Sequence, residues 1–341
     1  MATGYLRWAI ETTPNSEGES SGVSATTFDI PYMEAWVDPK PTLMNVDDEV
    51  TGYPASAPSP LVAEYAPEGS IKCKARPPYL GAMLQTCIGA VTTTAGNGVI
   101  TDPDGQTIPT GAYRHVFNWA TGAVPKTAQL NFSAPGTGAL HFKAQGVAVE
   151  DMGFTFEDGV FLLNLALKGL VCLNISDPSI TPSLPTVKPF VSGQMHLTWL
   201  AGSAVTEDFS FNLKNTLDIF KSFTTTSKYP DEVEFGQEPP VQSVVGSIPK
   251  RALDVDDWNA LINCTTFAGT AHITHDEIIA SGYRHQMWLE MPKCQYVEAT
   301  PEPAKNTRQQ KAAFNWEAKW DTGTSKFATV TLVNNTAAFF S

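Results

Sequence analysis

The chain has 341 residues, 42% of them hydrophobic and 17% charged, with 22 basic against 35 acidic side chains and a net charge of −13. That is enough apolar material for one large or two medium cores, and the acidic balance argues against a general phosphate-gripping surface and hence against sequence-specific DNA binding. Gly and Pro number 25 each, which favours strands joined by turns over long surface helices, so a mainly β fold is expected.

The opening residues Met1 to Glu11 have no basic start and no long apolar run, and no segment reaches the roughly 18 apolar residues of a membrane span; no signal peptide and no membrane partner are expected. Cys73, Cys87, Cys172, Cys264 and Cys294 are scattered, odd in number and without Cys-x-x-Cys spacing, so they read as small buried apolar residues. Strand-like segments follow from Phe28 to Val37, Leu61 to Lys74, Ala112 to Trp119, Ala128 to Phe132, Ala139 to Ala148, Gly153 to Phe156 and Val160 to Leu173. In the last of these Phe161, Leu163, Leu165 and Leu167 share one face, while Leu162, Asn164, Ala166 and Lys168 form a mixed one. Such a sheet meets water or a neighbouring subunit on its second side.

Residues 177–190 hold four prolines and read as a linker. Beyond it, strands are predicted at Gly193 to Leu200, Phe209 to Ile219, Val241 to Pro249, Tyr283 to Met291, Ala313 to Trp320 and Phe327 to Val333. Short motifs recur in the same order on both sides. Thr42-Leu43 and Tyr53-Pro54 return as Thr216-Leu217 and Tyr229-Pro230, and Gly69-Ser70-Ile71 returns as Gly246-Ser247-Ile248. Leu84 and Cys87 return as Leu261 and Cys264, and Tyr113-Arg114-His115 returns as Tyr283-Arg284-His285. A co-linear series of this kind predicts a tandem duplication. In each copy one short helix is expected, over Pro78 to Cys87 and Val255 to Cys264, the second with Asp254 or Asp256 at its start. One such helix cannot cover a sheet, so oligomerisation is expected to supply the rest.

These residues resemble the major tail tube protein of long-tailed, non-contractile bacteriophages, in the doubled form with two tube domains per chain. The resemblance is carried by Ala9 to Thr13, Pro31 to Leu43, Glu68 to Lys74 with Tyr79-Leu80-Gly81, Tyr113 to Phe117, Phe142 to Glu150 and Phe209 to Asp218. It departs from the family in the long loop Val91 to Gly105 and in the last strands of the second copy. It implies an N-terminal arm at 1–20, one tube domain at 21–176 and another at 191–341, each a β-sandwich or barrel-like unit with one short α-helix. It further implies three chains per pseudo-hexameric ring, with inner sheets joined into one barrel, and rings stacked into a virion tube assembled in the host cytoplasm. The implied partners are further copies of the chain, the tape measure protein inside the tube, the terminator and tip proteins at its ends, and phage DNA passing without specific binding. Alternatives are a tube-capping or baseplate protein of the same fold, or a secreted β-sandwich that binds carbohydrate through residues such as Trp119, Trp199, Trp288, Trp316 and Trp320.

No catalytic constellation is present: there is no Gly-x-Ser-x-Gly elbow, phosphate loop or dinucleotide motif, and no cofactor is expected. His115 and His285 read as packing residues, and His272 with His275, placed on a helix, as surface histidines rather than metal ligands. The acidic pairs Asp47-Asp48, Glu150-Asp151, Glu157-Asp158, Asp231-Glu232 and Asp256-Asp257 are expected at turns or a helix start. Ring-stacking contacts are expected in the turn-rich stretches that include Asp47, Asp48, Tyr53, Pro54, Tyr65, Tyr229, Pro230, Asp231 and Glu232. The polar strand faces offer Glu34, Asp38, Asn212, Lys214 and Glu317 to a channel that DNA must traverse without sticking.

Overall fold

The computed structural model describes residues 4–12, 22–44, 61–119, 126–133, 140–176, 180–200, 202–203, 208–220, 228–230, 232–236, 242–250, 255–301 and 312–339. The first half contains β1 (Tyr5–Glu11), β2 (Val23–Ile30), β3 (Tyr32–Asp38), β4 (Pro41–Met44), β5 (Leu61–Tyr65), β6 (Glu68–Lys74) and α1 (Pro77–Ile88). It continues with β7 (Gly89–Ala95), β8 (Tyr113–Trp119), β9 (Ala128–Ser133), β10 (His141–Glu157), β11 (Val160–Lys168) and β12 (Val171–Ile175). The second half contains β13 (Met195–Trp199), β14 (Gly202–Ser203), β15 (Ser210–Asn215), β16 (Leu217–Phe220), β17 (Glu232–Phe235) and β18 (Gln242–Lys250). After it come α2 (Val255–Ile262), β19 (Phe267–Ala280), β20 (Tyr283–Pro301), β21 (Ala312–Ala318) and β22 (Thr329–Asn334). The fold is mainly β, antiparallel, with two short helices.

The strands form a barrel-like shell, and β4–β5 and β16–β17 stand apart as two hairpins. The ladders of the shell branch at the two longest strands. The C-terminal part of β10 joins a wall in the order β3, β6, β11, β10, β15, β18, β21, β20. The N-terminal part of β10 instead pairs with β9 and β12, and β1 and β2 extend that side. β20 does the same with β19 and β22. The corner in β10 falls at Gly146, whose φ of 62° is open to glycine at little cost.

The two halves share their ladder register. Trp36 pairs with Ser70 and Val37 with Gly69, as Ser210 pairs with Ser247 and Phe211 with Gly246. The first strand is thus displaced by 174 positions (210 − 36) and the second by 177 (247 − 70). On the far side of the glycine-bearing strand, Leu167 faces Gly69 as Trp316 faces Gly246. The next ladder has a bulge at Glu150 in one half and Val297 in the other. Bulges are specific features of a strand pair, and this one falls at a matched place in the two ladders. A Cβ on Gly69 would meet the carbonyl oxygen of Trp36 at 3.0 Å, and one on Gly246 would run into that of Ser210, so the repeated glycine has one cause in both places.

Several expectations need correction. Tyr5–Glu11, expected within an N-terminal arm, is a strand paired on both sides, with Trp8 fully buried. The segment Phe28 to Val37 divides at Pro31 into strands belonging to different ladders. The segments expected at Ala139 to Ala148 and Gly153 to Phe156 fall, from His141 onward, in one strand, with Glu150-Asp151 in its middle rather than at a turn. Cys264 is exposed, unlike the other four cysteines. His272 and His275 lie on strand β19, not on a helix, and His275 is buried, with Nε2 2.9 Å from the Lys188 carbonyl oxygen. Register makes β10, not β8, the counterpart of β20, so the two Tyr-Arg-His triplets are not equivalent: they lie on the two strands flanking β22. Residues 180–190 are fastened rather than loose, since Arg76 donates to the carbonyls of Pro185 and Val187, and Asp29 accepts from the Ser183 amide.

Candidate functional site

The long wall has one buried and one polar face because its strands alternate. In β6 Gly69, Ile71 and Cys73 point to the core while Glu68, Ser70, Lys72 and Lys74 are half-exposed, and β11 buries Phe161, Leu163, Leu165 and Leu167. Directly opposed residues share a face, so the ladders trace rows across the wall. One row runs Glu34, Lys72, Asn164, Gly153, Asn212, Val245, Glu317, Gln295. Three residues chosen from sequence as channel-facing, Glu34, Asn212 and Glu317, stand in that single row. Lys214 lies in the adjoining row with Trp36, Ser70, Ala166 and Asp151, and Asp38 in the next, opposite Glu68.

Four lysines on this face are matched by carboxylates. Lys72 pairs with Glu157 at 2.7 Å, Lys168 with Glu150 at 2.6 Å, Lys214 with Asp151 at 3.8 Å, and Lys319 with Glu317. Asp151 also accepts a hydrogen bond from Asn212 at 3.1 Å. Burial raises the pKa of its carboxyl, against the opposing pull of Asn212 and Lys214. Sequence reasoning missed Asp151, Glu157 and Lys72 as members of the face. The alternation of β11 already places Asn164 on the polar side, but its partners depend on register.

Asp151 and Lys214 also mark where the halves join. Across β10 and β15, Asp151 faces Lys214, Met152 faces Leu213, Gly153 faces Asn212 and Phe154 faces Phe211. On the inner side the Phe154 and Phe211 rings stack at 4.4 Å, and Met152, Leu213, Phe154 and Phe211 are all buried. Helix α1 lies behind the same seam. Asn215 Nδ2 donates to Cys87 O at 2.7 Å, Asn334 Nδ2 donates to Pro77 O at 2.9 Å, and the Phe339 ring sits against Gly81. Strands β10, β7, β8, β2 and β1 of its own half, with β22 and β15 of the second, bury α1 almost wholly, whereas its counterpart α2 leaves Val255 70% and Ile262 73% exposed.

Of the residues expected to stack rings, Asp47, Asp48, Tyr53, Pro54 and Asp231 lie outside the described residues. Tyr65 and Tyr229 come together, their rings stacked at 4.6 Å, and the Tyr65 amide donates to Lys228 O at 3.0 Å. Pro230 is buried beside them, and Glu232 is exposed at the start of β17. The base of the β4–β5 hairpin thus meets, within one chain, the segment that leads into β17.

The landmark residues are structural. Ile71 and Ile248 are buried. Tyr113 opens β8 opposite Asn334, and Arg114 donates to Thr101 O at 2.6 Å. His115 is buried between Thr93 and Asn334, which hydrogen-bond its two ring nitrogens. Tyr283 donates to Asp102 at 2.5 Å, tying the loop after β7 onto β20, and Arg284 pairs with Asp276 at 3.4 Å. His285 is buried against the His275 ring. Burial drives the pKa of both His115 and His285 down to about 4. Trp119, Trp199, Trp288 and Trp316 are core residues, and of the five candidate stacking tryptophans only Trp320 is exposed. Among the described residues no group of three His, Cys, Asp or Glu could hold a metal ion, and no helix is long and apolar enough to cross a membrane.

No protein-family model and no curated protein matches the chain. Among solved structures, the crystal structure of a Pseudomonas aeruginosa FadL homologue aligns at 7% identity over 97% of this chain and 88% of that one, with a TM-score of 0.10, a likeness too slight to carry a shared fold.

Proposed function

We infer that the chain is a structural subunit that polymerises as stacked rings into the tail tube of a long-tailed bacteriophage, with three chains per ring around a channel for DNA. The observation that carries this conclusion is the row from Glu34 to Gln295, which crosses both halves of the chain without a break and is polar at every position but Gly153 and Val245. A wall that carries acids, with four of its lysines matched to carboxylates, lets a polyanion slide because fewer cations are left to trade for its counterions. Two repeated units per chain occupy six places in a ring of three. The tape measure protein would fill the channel before ejection, and terminator and tip proteins would close the ends. Negative-stain microscopy of concentrated protein tests this: long tubes are expected, short closed rings would point to a capping protein, and monodisperse monomers would reject the function.

A further inference from the structure

The chain carries its own template for the contact between chains. The β10–β15 seam joins two units of matched register, and among the described residues each unit leaves one side of such a seam without a ladder. Matching the bulges Glu150 and Val297 makes Asp151, Met152, Gly153 and Phe154 the counterparts of Glu298, Ala299, Thr300 and Pro301. The 174-residue displacement makes Lys214, Leu213, Asn212 and Phe211 the counterparts of Lys40, Pro39, Asp38 and Val37. Among the described residues β3 has a ladder on one side, with β6, and β20 beyond Cys294 has a ladder only with β21. Both edges are presented to solvent: Trp36 is 49% and Val297 52% exposed.

We propose that a second copy of this chain lays its Val37–Lys40 edge antiparallel against Glu298–Pro301 of the first, setting Glu298 opposite Lys40 and Thr300 opposite Asp38. The chemistry of the internal seam is kept. Its inner residues, Met152, Phe154, Leu213 and Phe211, have apolar counterparts in Ala299, Pro301, Pro39 and Val37. Its outer charge pair, Asp151 with Lys214, becomes Glu298 with Lys40, an amine already paired with Glu68 in its own chain. Lys40 sits in the turn after β3 with φ 45°, so it meets Glu298 through its side chain at the end of the ladder. Pro39, inside the paired stretch, and Pro301, at its end, have no amide to donate, which limits how far the free edges can pair. The exposed α2 face has its place in the same scheme, since α1, its counterpart, takes part of its cover from the unit that follows it, through Asn215, Asn334 and Phe339.

The register also sets the curvature. Crossing one four-strand unit, the row that starts at Trp36 arrives at Lys214, the counterpart of Lys40, so it climbs four residues in four strands. With about 3.3 Å of rise per residue and about 4.8 Å between strands, the strands tilt by about 35°, which lies in the range of closed barrels. Three such chains enclose a barrel about 45 Å across, backbone to backbone.

The inference rests on the ring architecture of the proposed function but is tested separately from it. Asp38→Cys with Thr300→Cys, in a Cys264→Ser background, places two thiols on one cross-strand pair. Mild oxidation should link chains at least about ten-fold more than the offset pair Glu34→Cys with Thr300→Cys, giving trimer as the largest covalent species. Glu298→Lys should weaken association and Lys40→Glu added to it should restore it, with far-UV circular dichroism unchanged throughout. Cross-linked trimers without tubes would uphold the contact and reject the tube. Tubes that cross-link no better through the matched pair than through the offset pair, or a chain that stays monomeric, would overturn the contact.

Discussion

The side-chain amide of Asn215 donates to the main-chain carbonyl of Cys87 at 2.7 Å, so a residue of the second half closes the last turn of a helix belonging to the first. Helix ends leave carbonyls without intrahelical partners. Gly89, at φ 91°, turns the chain and returns its amide to Gln85 O, and Asn215 supplies the donor that Cys87 needs. The same amide donates to Val149 O at 2.9 Å while its oxygen accepts from Gln242.

Replacing Asn215 by alanine should therefore destabilise the monomer by about 2–3 kcal/mol, because two buried carbonyls lose their donor at once. Urea unfolding followed by tryptophan fluorescence measures the loss. A midpoint within error of the parent would mean that water satisfies both carbonyls and that the amide does not fasten the two halves.

The repeated glycines make a paired prediction. Gly246→Ala drives a methyl group into the Ser210 carbonyl and the Trp316 ring, whereas Gly69→Ala meets the Trp36 carbonyl at 3.0 Å with only ordinary neighbours otherwise. Overpacking of this kind costs about 1–3 kcal/mol, and the larger share should fall on Gly246. Equal melting temperatures for the two variants would contradict the tighter seat of Gly246.

What could be read in the sequence depended on how each strand is buried. The alternation from Phe161 to Lys168 announces a half-buried strand, and the structure buries the face expected. Tyr5–Glu11 gives no such signal, because all its residues but Arg7 are buried, so its side chains do not sort into a polar and an apolar set. β10 reads as two segments because the acidic pair Glu150-Asp151 imitates a turn, although it includes a bulge within a continuous strand. The polar face was legible residue by residue but not as a row, since Glu34, Asn212 and Glu317 are brought into line only by ladders between strands far apart in sequence. The Tyr-Arg-His echo misled for the converse reason: similar triplets flank one strand from opposite sides.

His115 and His285 predict how the protein responds to acid. Burial holds both near pKa 4 in the folded chain, below the 6.5 of a free imidazole, so the unfolded chain takes up protons first as pH falls. Stability is complete above pH 6.5 and declines from there toward pH 4, by about 2–3 kcal/mol for each histidine if its environment is kept. Between pH 6.5 and 5 ordinary carboxylates remain ionised, so the loss in that window belongs chiefly to histidine. His285→Gln should flatten the dependence of the urea midpoint on pH in this window. An unchanged slope would show that His285 is hydrated and titrates normally.

The acidic wall yields the last prediction. Glu34 and Glu317 stand in one row, Glu34 facing Lys72, whose amine is paired with Glu157, and Glu317 paired with Lys319, so both carboxylates add negative charge beside amines of the wall. Glu34→Lys with Glu317→Lys reverses the balance at two points of the row while leaving the buried face untouched, and tubes should still assemble. DNA in transit would then exchange counterions for lysines, a gain that falls steeply as salt rises. Ejection from virions carrying both substitutions should slow by about ten-fold at low salt and approach the parental rate as ionic strength increases. Ejection that is unchanged at low salt would show that this face does not meet the DNA, and the acidic composition of the wall would need another cause.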